Sequence, residues 1–201
     1  MINIIKDVDL YDNIEQYDAI LIGTGIYCSM SQGFQRDVML NYPYVQEMNM
    51  ETKYADKNKL GTILECKKNN SPTFVLMFIN EGNFRPDLNS DYLSYDSLEK
   101  CLKIVNILYR GKNIASTLLG ASRFDGNGDK ERILNIINNN IKDINLTIYD
   151  FEQKSKSEKL KSIRKSELKI KEVDLDAYYA AVKKRKEEAD IRKQNNGHAK
   201  Y

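Results

Sequence analysis

Three observations in the sequence predict a layered α/β domain built on a mixed sheet. Apolar runs of strand length alternate with segments of helical periodicity. The strongest runs, in YDAILI (17–22) and TFVLMFI (73–79), are continuously apolar over several residues, as strands covered on both faces require. Two of the strands end in glycine-bearing loops that lead into helices, the connection of a βα unit. Charge divides the 201-residue chain near Phe151. Residues 152–201 carry 15 Lys/Arg against 9 Asp/Glu, a net +6, and the body carries 16 against 20, a net −4. The expected organisation is one domain over 1–151 and a charged, largely helical arm over 152–201.

The elements follow in order. INII (2–5) is a short β-like run, and YDAILI is a central strand bounded by charge before and glycine after. Phe34, Val38, Met39 and Tyr42 then form a helical stripe over 32–42, which Pro43 stops or restarts. YVQEMNMETKYAD keeps helical character. LGTILEC (60–66) alternates, KKNNSP turns the chain, and TFVLMFI is a strand, so these form a hairpin. Residues 94–110 present Leu98, Cys101, Leu102, Val105, Leu108 and Tyr109 at helical spacing, with Asp96 or Ser97 as the cap. NIASTLLG (113–120) is a buried strand and ASRFDGNG a second glycine-bearing loop. DKERILNIINNNI (129–141) is a helix with Ile133, Leu134, Ile136 and Ile137 inward, and INLTIYDF (144–151) is the last strand.

Composition excludes several function classes. No apolar run approaches the roughly 18 residues of a membrane span, and MINIIKDVDL lacks the basic start and apolar stretch of a signal peptide. An intracellular, cytoplasmic protein is expected. Cys28, Cys66 and Cys101 include no CxxC pair, which argues against a zinc site and a disulfide framework. The one histidine, His198, stands near the C-terminus, which excludes a histidine triad. The Asn, Lys and Ile bias is compatible with an AT-rich bacterial or phage genome.

The loop GTGIYCSMSQGF (23–34) carries three glycines and no charge. It is either a plain strand-to-helix connection or a cradle for a phosphate-bearing ligand. The second loop, 120–128, also follows a strand and precedes a helix, so both belong at the carboxyl edge of the sheet, where α/β folds bind ligands. Two loops there, each feeding a helix N-terminus, make an anion site of backbone N–H groups. No GxxxxGK[ST] is present, and GTGIYC places Cys28 where a dinucleotide fingerprint needs glycine, so neither nucleotide motif applies.

Order and spacing over residues 2–151 resemble the macro domain family. VDLY (8–11) looks like its N-terminal Gly-Asp-Leu element. YDAILIGTGIYCSMSQGFQRDVMLNYP looks like its first binding loop and helix, and TLLGASRFDGNGDKERILNII like its second. The resemblance is strongest to the subgroup of the terminal ADP-ribose glycohydrolase and the macro-domain antitoxins that reverse DNA ADP-ribosylation. The spacing from Asp18 through Cys28 and Met30 to Gly33 matches that subgroup without gaps. The resemblance implies a three-layer α/β/α fold and an ADP-ribose-like ligand, with no cofactor or metal required. Asp9 would accept from the adenine amino group, or be only a cap. Ser29, Met30, Ser31, Gln32, Gly33 and Phe34 would wrap the distal ribose and pyrophosphate through backbone amides, with Thr24 also on the ligand. Gly120, Ser122, Arg123, Phe124, Asp125 and Gly126 would clamp the pyrophosphate from the other side. Tyr149 or Phe151 would stack on adenine. Residues of the type of Phe34 and Tyr149 are more often core residues than ligand contacts, and Gly33 is also read as a backbone requirement.

Departures from the family pattern bear on chemistry. Gly23, Thr24 and Gly25 stand where many macro hydrolases carry an asparagine. Glu81, after TFVLMFIN, stands where the subgroup has a lysine that attacks the ribose, and a carboxylate cannot form an amine's adduct. Asp125 falls within one residue of the subgroup's second catalytic group. The leading expectation is therefore a binder of ADP-ribose or an ADP-ribosylated macromolecule. A first alternative is a hydrolase or phosphatase in which Glu81 and Asp125 form a catalytic carboxylate pair; the two are otherwise unrelated surface acids. A second alternative is a scaffold or virion-type assembly protein that docks through its arm. Cys28 is a buried apolar residue on this reading, or a nucleophile if a helix N-terminus activates it. In the arm, Leu175, Tyr178, Tyr179 and Val182 make a narrow stripe suited to a protein partner or to folding back on the domain. A basic helix of this kind could also contact nucleic acid, but it lacks the Trp/Phe face of membrane helices.

Overall fold

In the computed structural model, the described residues are 1–81, 92–122 and 126–150, together with Lys184. The arm expected over 152–201 lies, apart from Lys184, outside them. Within residues 1–150 the described elements are, in order, β1 (Ile2–Lys6), β2 (Ala19–Gly25), α1 (Gly33–Asn41), α2 (Pro43–Glu51), β3 (Ile63–Cys66), β4 (Phe74–Asn80), α3 (Tyr95–Leu108), β5 (Asn113–Thr117), α4 (Lys130–Asn140) and β6 (Asn145–Asp150). Short 3-10 helices occupy Leu10–Gln16 and Lys57–Lys59. The strands form one sheet in the order β1-β6-β5-β2-β4-β3. All neighbours are parallel except β3 and β4, which form the expected antiparallel hairpin.

Alternation along the strands builds two cores, and hence three layers. On one face Leu21, Val75, Met77, Ile114 and Ile148 meet Leu98, Cys101, Leu102 and Val105 of α3 and Ile133 and Ile137 of α4. On the other, Ile20, Ile22, Phe74 and Leu76 meet Val38 and Met39 of α1 and Tyr44 and Val45 of α2. Every residue of β4 is buried, which explains why its sequence shows no alternation. Pro43 restarts the helix: it occupies the first turn of α2, where its missing N–H has no intrahelical acceptor to lose.

Three local expectations are corrected. The cap of α3 is Ser94, whose Oγ accepts from the Ser97 N–H at 3.3 Å, rather than Asp96 or Ser97. The helix starts one residue later than periodicity suggests, which places Asp96 in the first turn, where the dipole favours it. Leu108 is 59 % exposed because the helix ends there, while Tyr109 turns back into the core. Helical character does not continue past Glu51; the chain bends through Thr52–Asp56 before the second 3-10 turn.

Tyr109 donates its hydroxyl hydrogen to Glu65 Oε1 and so ties the end of α3 to edge strand β3. That bond holds the Glu65 carboxyl below its ordinary range, against the opposing effect of burial, with Lys67 assisting. A depressed carboxylate stabilises fully above the unfolded value of about 4.3, and the contribution fades as pH falls through the folded value. Tyr109→Phe should therefore flatten the acid limb of stability against pH; an unchanged limb in thermal melts would refute the link. Leu76→Ala should cost about 2–5 kcal/mol in urea unfolding, and Leu108→Ala within about 0.5 kcal/mol. Equal costs would mean that the register of α3 is wrong.

Candidate functional site

The parallel strands deliver their carboxyl ends to one edge, and two loops meet there. The first, 26–32, leaves β2 and enters α1. Its start is held to the end of β4, where the Ile26 N–H donates to Asn80 O at 3.3 Å. Gln35 Nε2 reaches back from α1 to Gly23 O at 2.7 Å, fixing the helix against β2. Gln46 Nε2 donates to Cys28 O at 2.9 Å. The second loop folds on itself through Gly128 N to Gly120 O at 2.9 Å and Asn127 N to Ser122 O at 3.0 Å. Gly126 O then accepts from Tyr92 N at 2.8 Å and Leu93 N at 3.2 Å. A Cβ on Gly126 would stand 2.9 Å from Asn80 Oδ1, so the second loop abuts the end of β4 that the first loop also contacts. The two loops thus share one edge, as the sequence predicts.

α1 begins at Gly33, whose φ of +53° sets the turn, and Gln32 before it makes no side-chain cap bond. The Gln32 side chain thus does not cap the helix, and the positive end of the helix dipole there favours anions. Ser29 Oγ and Ser31 Oγ lie 3.2 Å apart, both half-buried, and Phe34 packs partly against the α1-side core. Thr24 is fully buried at the end of β2, and its Oγ1 has no hydrogen-bond partner among the described residues. Gly120 and Gly126 are buried and Ser122 is exposed. Arg123, Phe124 and Asp125 lie outside the described residues, as does Phe151.

Other expected site residues take different parts. Met30 is fully buried in the core beneath the loop, so only its backbone faces the edge. Tyr149 is 3 % exposed and its hydroxyl lies 2.8 Å from that of Tyr17. The two rings meet edge to face, leaving no open surface of Tyr149 for stacking on adenine. The core reading of Tyr149 is the one its environment supports. Asp9 caps the first 3-10 helix, accepting from Tyr11 N at 3.0 Å through Oδ1. Glu81 is exposed and paired with Lys57 Nζ at 2.5 Å. That hydrogen bond raises the Lys57 ammonium above its ordinary range.

Several neighbours escaped the sequence reading. Lys57 comes from the short polar stretch 57–59, which falls between the expected helical segment and strand. Tyr27 and Tyr54 pack edge to face at 5.6 Å, with Tyr27 also acting on Lys57 electrostatically. Asn80 is the polar end of an otherwise apolar strand, a signal available in TFVLMFIN. Cys28 is buried as expected, but its thiol has polar company: Lys59 Nζ and Thr52 Oγ1 each lie 3.2 Å from Sγ. Among the described residues, no group of three or more His, Cys, Asp or Glu could hold a metal, and no helix is long and apolar enough to cross a membrane.

No protein-family model and no curated protein matches this chain. Solved structures do. A protein of unknown function from Bacteroides thetaiotaomicron is 19 % identical, over 75 % of this chain and 98 % of its own, with a TM-score of 0.61. The macrodomain of Thermus aquaticus DarG is 12 % identical over 75 % and 98 %, with a TM-score of 0.54. DarTG from Thermosipho africanus, solved in complex with ADP-ribose, is 15 % identical over 79 % of this chain and 44 % of its own, at 0.56. Identities this low speak to fold alone, and the fold is that of a macrodomain.

Gly126→Ala should cost about 1–3 kcal/mol in chemical unfolding. Its φ is +134° and the added carbon would lie 2.8 Å from Gly120 O. Stability at the wild-type level would show that the second loop is not packed this closely on itself and on Asn80.

Proposed function

We propose that this chain binds ADP-ribose, or the ADP-ribosyl group of a modified macromolecule, in the cleft between loops 26–32 and 118–129. The observation that carries the reading is the convergence of both loops on the ends of β2 and β4 in a macrodomain fold. A pyrophosphate suits this edge because backbone N–H groups and the start of α1 supply positive potential without a buried cation. Ser29 and Ser31 add hydroxyls that can serve a ribose as donor or acceptor. The similar DarTG structure holds ADP-ribose, and its ligand lends the reading its substrate class.

A second reading, removal of the ADP-ribosyl group, draws on Lys57. The resemblance leaves the cleft without its usual lysine, since Glu81 stands in that place. Lys57, from another part of the chain, brings an amine to within 2.5 Å of that carboxylate. Asp125 would supply the second catalytic group. An ammonium tied to Glu81 is a poor nucleophile until it loses a proton, so binding remains the first reading and hydrolysis the second.

Calorimetric titration of the full chain with ADP-ribose should give saturable heat and a rise in thermal midpoint. Gly33→Val, which puts a branched side chain at φ +53°, should weaken binding at least tenfold. No heat and no thermal shift would sink both readings. For the second, ADP-ribose should be released from modified protein or DNA and release should fall in Lys57→Ala and Asp125→Ala. Binding without any release leaves the first reading alone standing.

A further inference from the structure

We propose that Cys28 and Lys59 form an oxidation-driven covalent cross-link, a sulfenamide between Sγ and Nζ. The two atoms lie 3.2 Å apart, inside the roughly 3–3.5 Å of a near-attack arrangement. Both side chains are buried: Cys28 is 2 % exposed and Lys59 9 %. Neither can swing away easily. Cys28 is held at φ +54° with its carbonyl accepting from Gln46. Lys59 Nζ also donates to Thr52 Oγ1 at 3.0 Å and sits 4.7 Å from the centre of the Phe78 ring. Among the described residues, no carboxylate lies within ion-pair distance of Nζ. The amine thus faces a thiol where a buried lysine ordinarily faces an acid.

Thr52 completes the arrangement. Its hydroxyl donates to Asn49 O at 2.7 Å, so its lone pairs point back to the amine and the thiol. The thiol proton therefore has an acceptor in Thr52 Oγ1, and the Sγ lone pairs remain directed at Nζ.

The chemistry balances with a hydroperoxide, here hydrogen peroxide, as oxidant. Sγ attacks one peroxide oxygen; the S–O bond forms, the O–O bond breaks, and water leaves with the thiol proton. Sulfur loses two electrons and the peroxide gains them, giving a sulfenic acid. The Lys59 ammonium gives up one proton to the water that enters with the peroxide, and the lone pair so freed then attacks Sγ. The S–N bond forms, the S–O bond breaks, and the hydroxide leaves as water with an amine proton. Sulfenic acids condense in this way with nitrogen groups held nearby. Access requires local opening of loop 26–32, which carries no regular secondary structure.

The other two cysteines provide an internal contrast. Burial pushes the thiols of Cys66 and Cys101 up to about 12. Their hydrogen-bond partners are backbone carbonyls of Val45 and Thr62, and among the described residues neither has a hydrogen bond to an amine. The cross-link is therefore specific to Cys28, and it joins the first loop to the turn that precedes β3. It does not depend on what the cleft binds.

The test is mass spectrometry of the full chain after graded peroxide treatment. The intact mass should fall by two hydrogen atoms, peptide mapping should recover Cys28 joined to Lys59, and excess dithiol should restore the starting mass. Lys59→Arg keeps a donor at the site but offers no nucleophilic amine; there Cys28 should proceed to sulfinic acid instead. Cys66→Ala with Cys101→Ala should still cross-link. The proposal is overturned if wild-type Cys28 accumulates sulfinic acid while Lys59 stays free. It is equally overturned if Cys66 or Cys101 oxidises first, or if the joined peptides carry an additional oxygen.

Discussion

β2 and β4 run side by side with neither face in water, so their side chains must stay apolar until the strands end. The register pairs Ile20 with Phe74, Leu21 with Val75 and Ile22 with Leu76, and sends alternate side chains to the two cores. The helices on both sides are laid down against this pair. Parallel pairing has a further consequence. The chain must cross back over a face of the sheet before each new parallel strand, so strand ends of one sense gather at one edge. The pairing loosens only at Thr24 and Gly25, where the register slips opposite Asn80. Buried Thr24 and Asn80 lie at that point, and the first loop (Ile26 N–H) and the second (Gly126) both meet Asn80 there.

Packing at that edge explains the glycines better than flexibility does. Gly126 and Gly120 both have positive φ, and a side chain on either would strike backbone or Leu93. Gly33 differs: nothing lies within 4 Å of its missing Cβ, and only its φ of +53° demands glycine. One loop is thus built for close approach of backbone to backbone. The other has no described atom against the missing Cβ at the start of α1.

The fold was legible because its signals are local. Continuous apolar runs mark strands buried on both faces, helical stripes mark the covering layers, and the order of elements is then nearly sufficient for the topology. The site was legible only as an address. Sequence spacing located both loops, but it could not tell which loop residues face outward. The Met30 side chain is buried in the core, and of the two readings open for Tyr149 its burial favours the core one, because burial of large apolar groups outweighs proximity to the loop edge. Ser94 was passed over as a cap because periodicity reports the middle of a helix more reliably than its end. Lys57 and Lys59 were invisible for another reason. Their partners, Glu81 and Cys28, lie more than twenty residues away, and no pattern in the intervening chain records the pairing.

Those two lysines show how one short element can serve two chemistries. Both rise from the single 3-10 turn Lys57–Lys59, capped by Asp56, whose Oδ1 accepts from Asn58 N at 3.0 Å. That backbone hydrogen bond is the main reason the Asp56 carboxyl sits below its ordinary range, with Lys53 adding to it. On so tight a turn, residues two apart leave in different directions. Lys57 goes outward to a carboxylate in water, where the pair contributes little to stability. Lys59 goes inward, over Phe78, to a thiol and a hydroxyl. The outward lysine stands beside Glu81, just past the end of β4. The inward one is committed to the loop that forms the cleft wall. A change in the turn that moved one lysine would therefore move the other, coupling the rim of the site to the packing beneath its first loop.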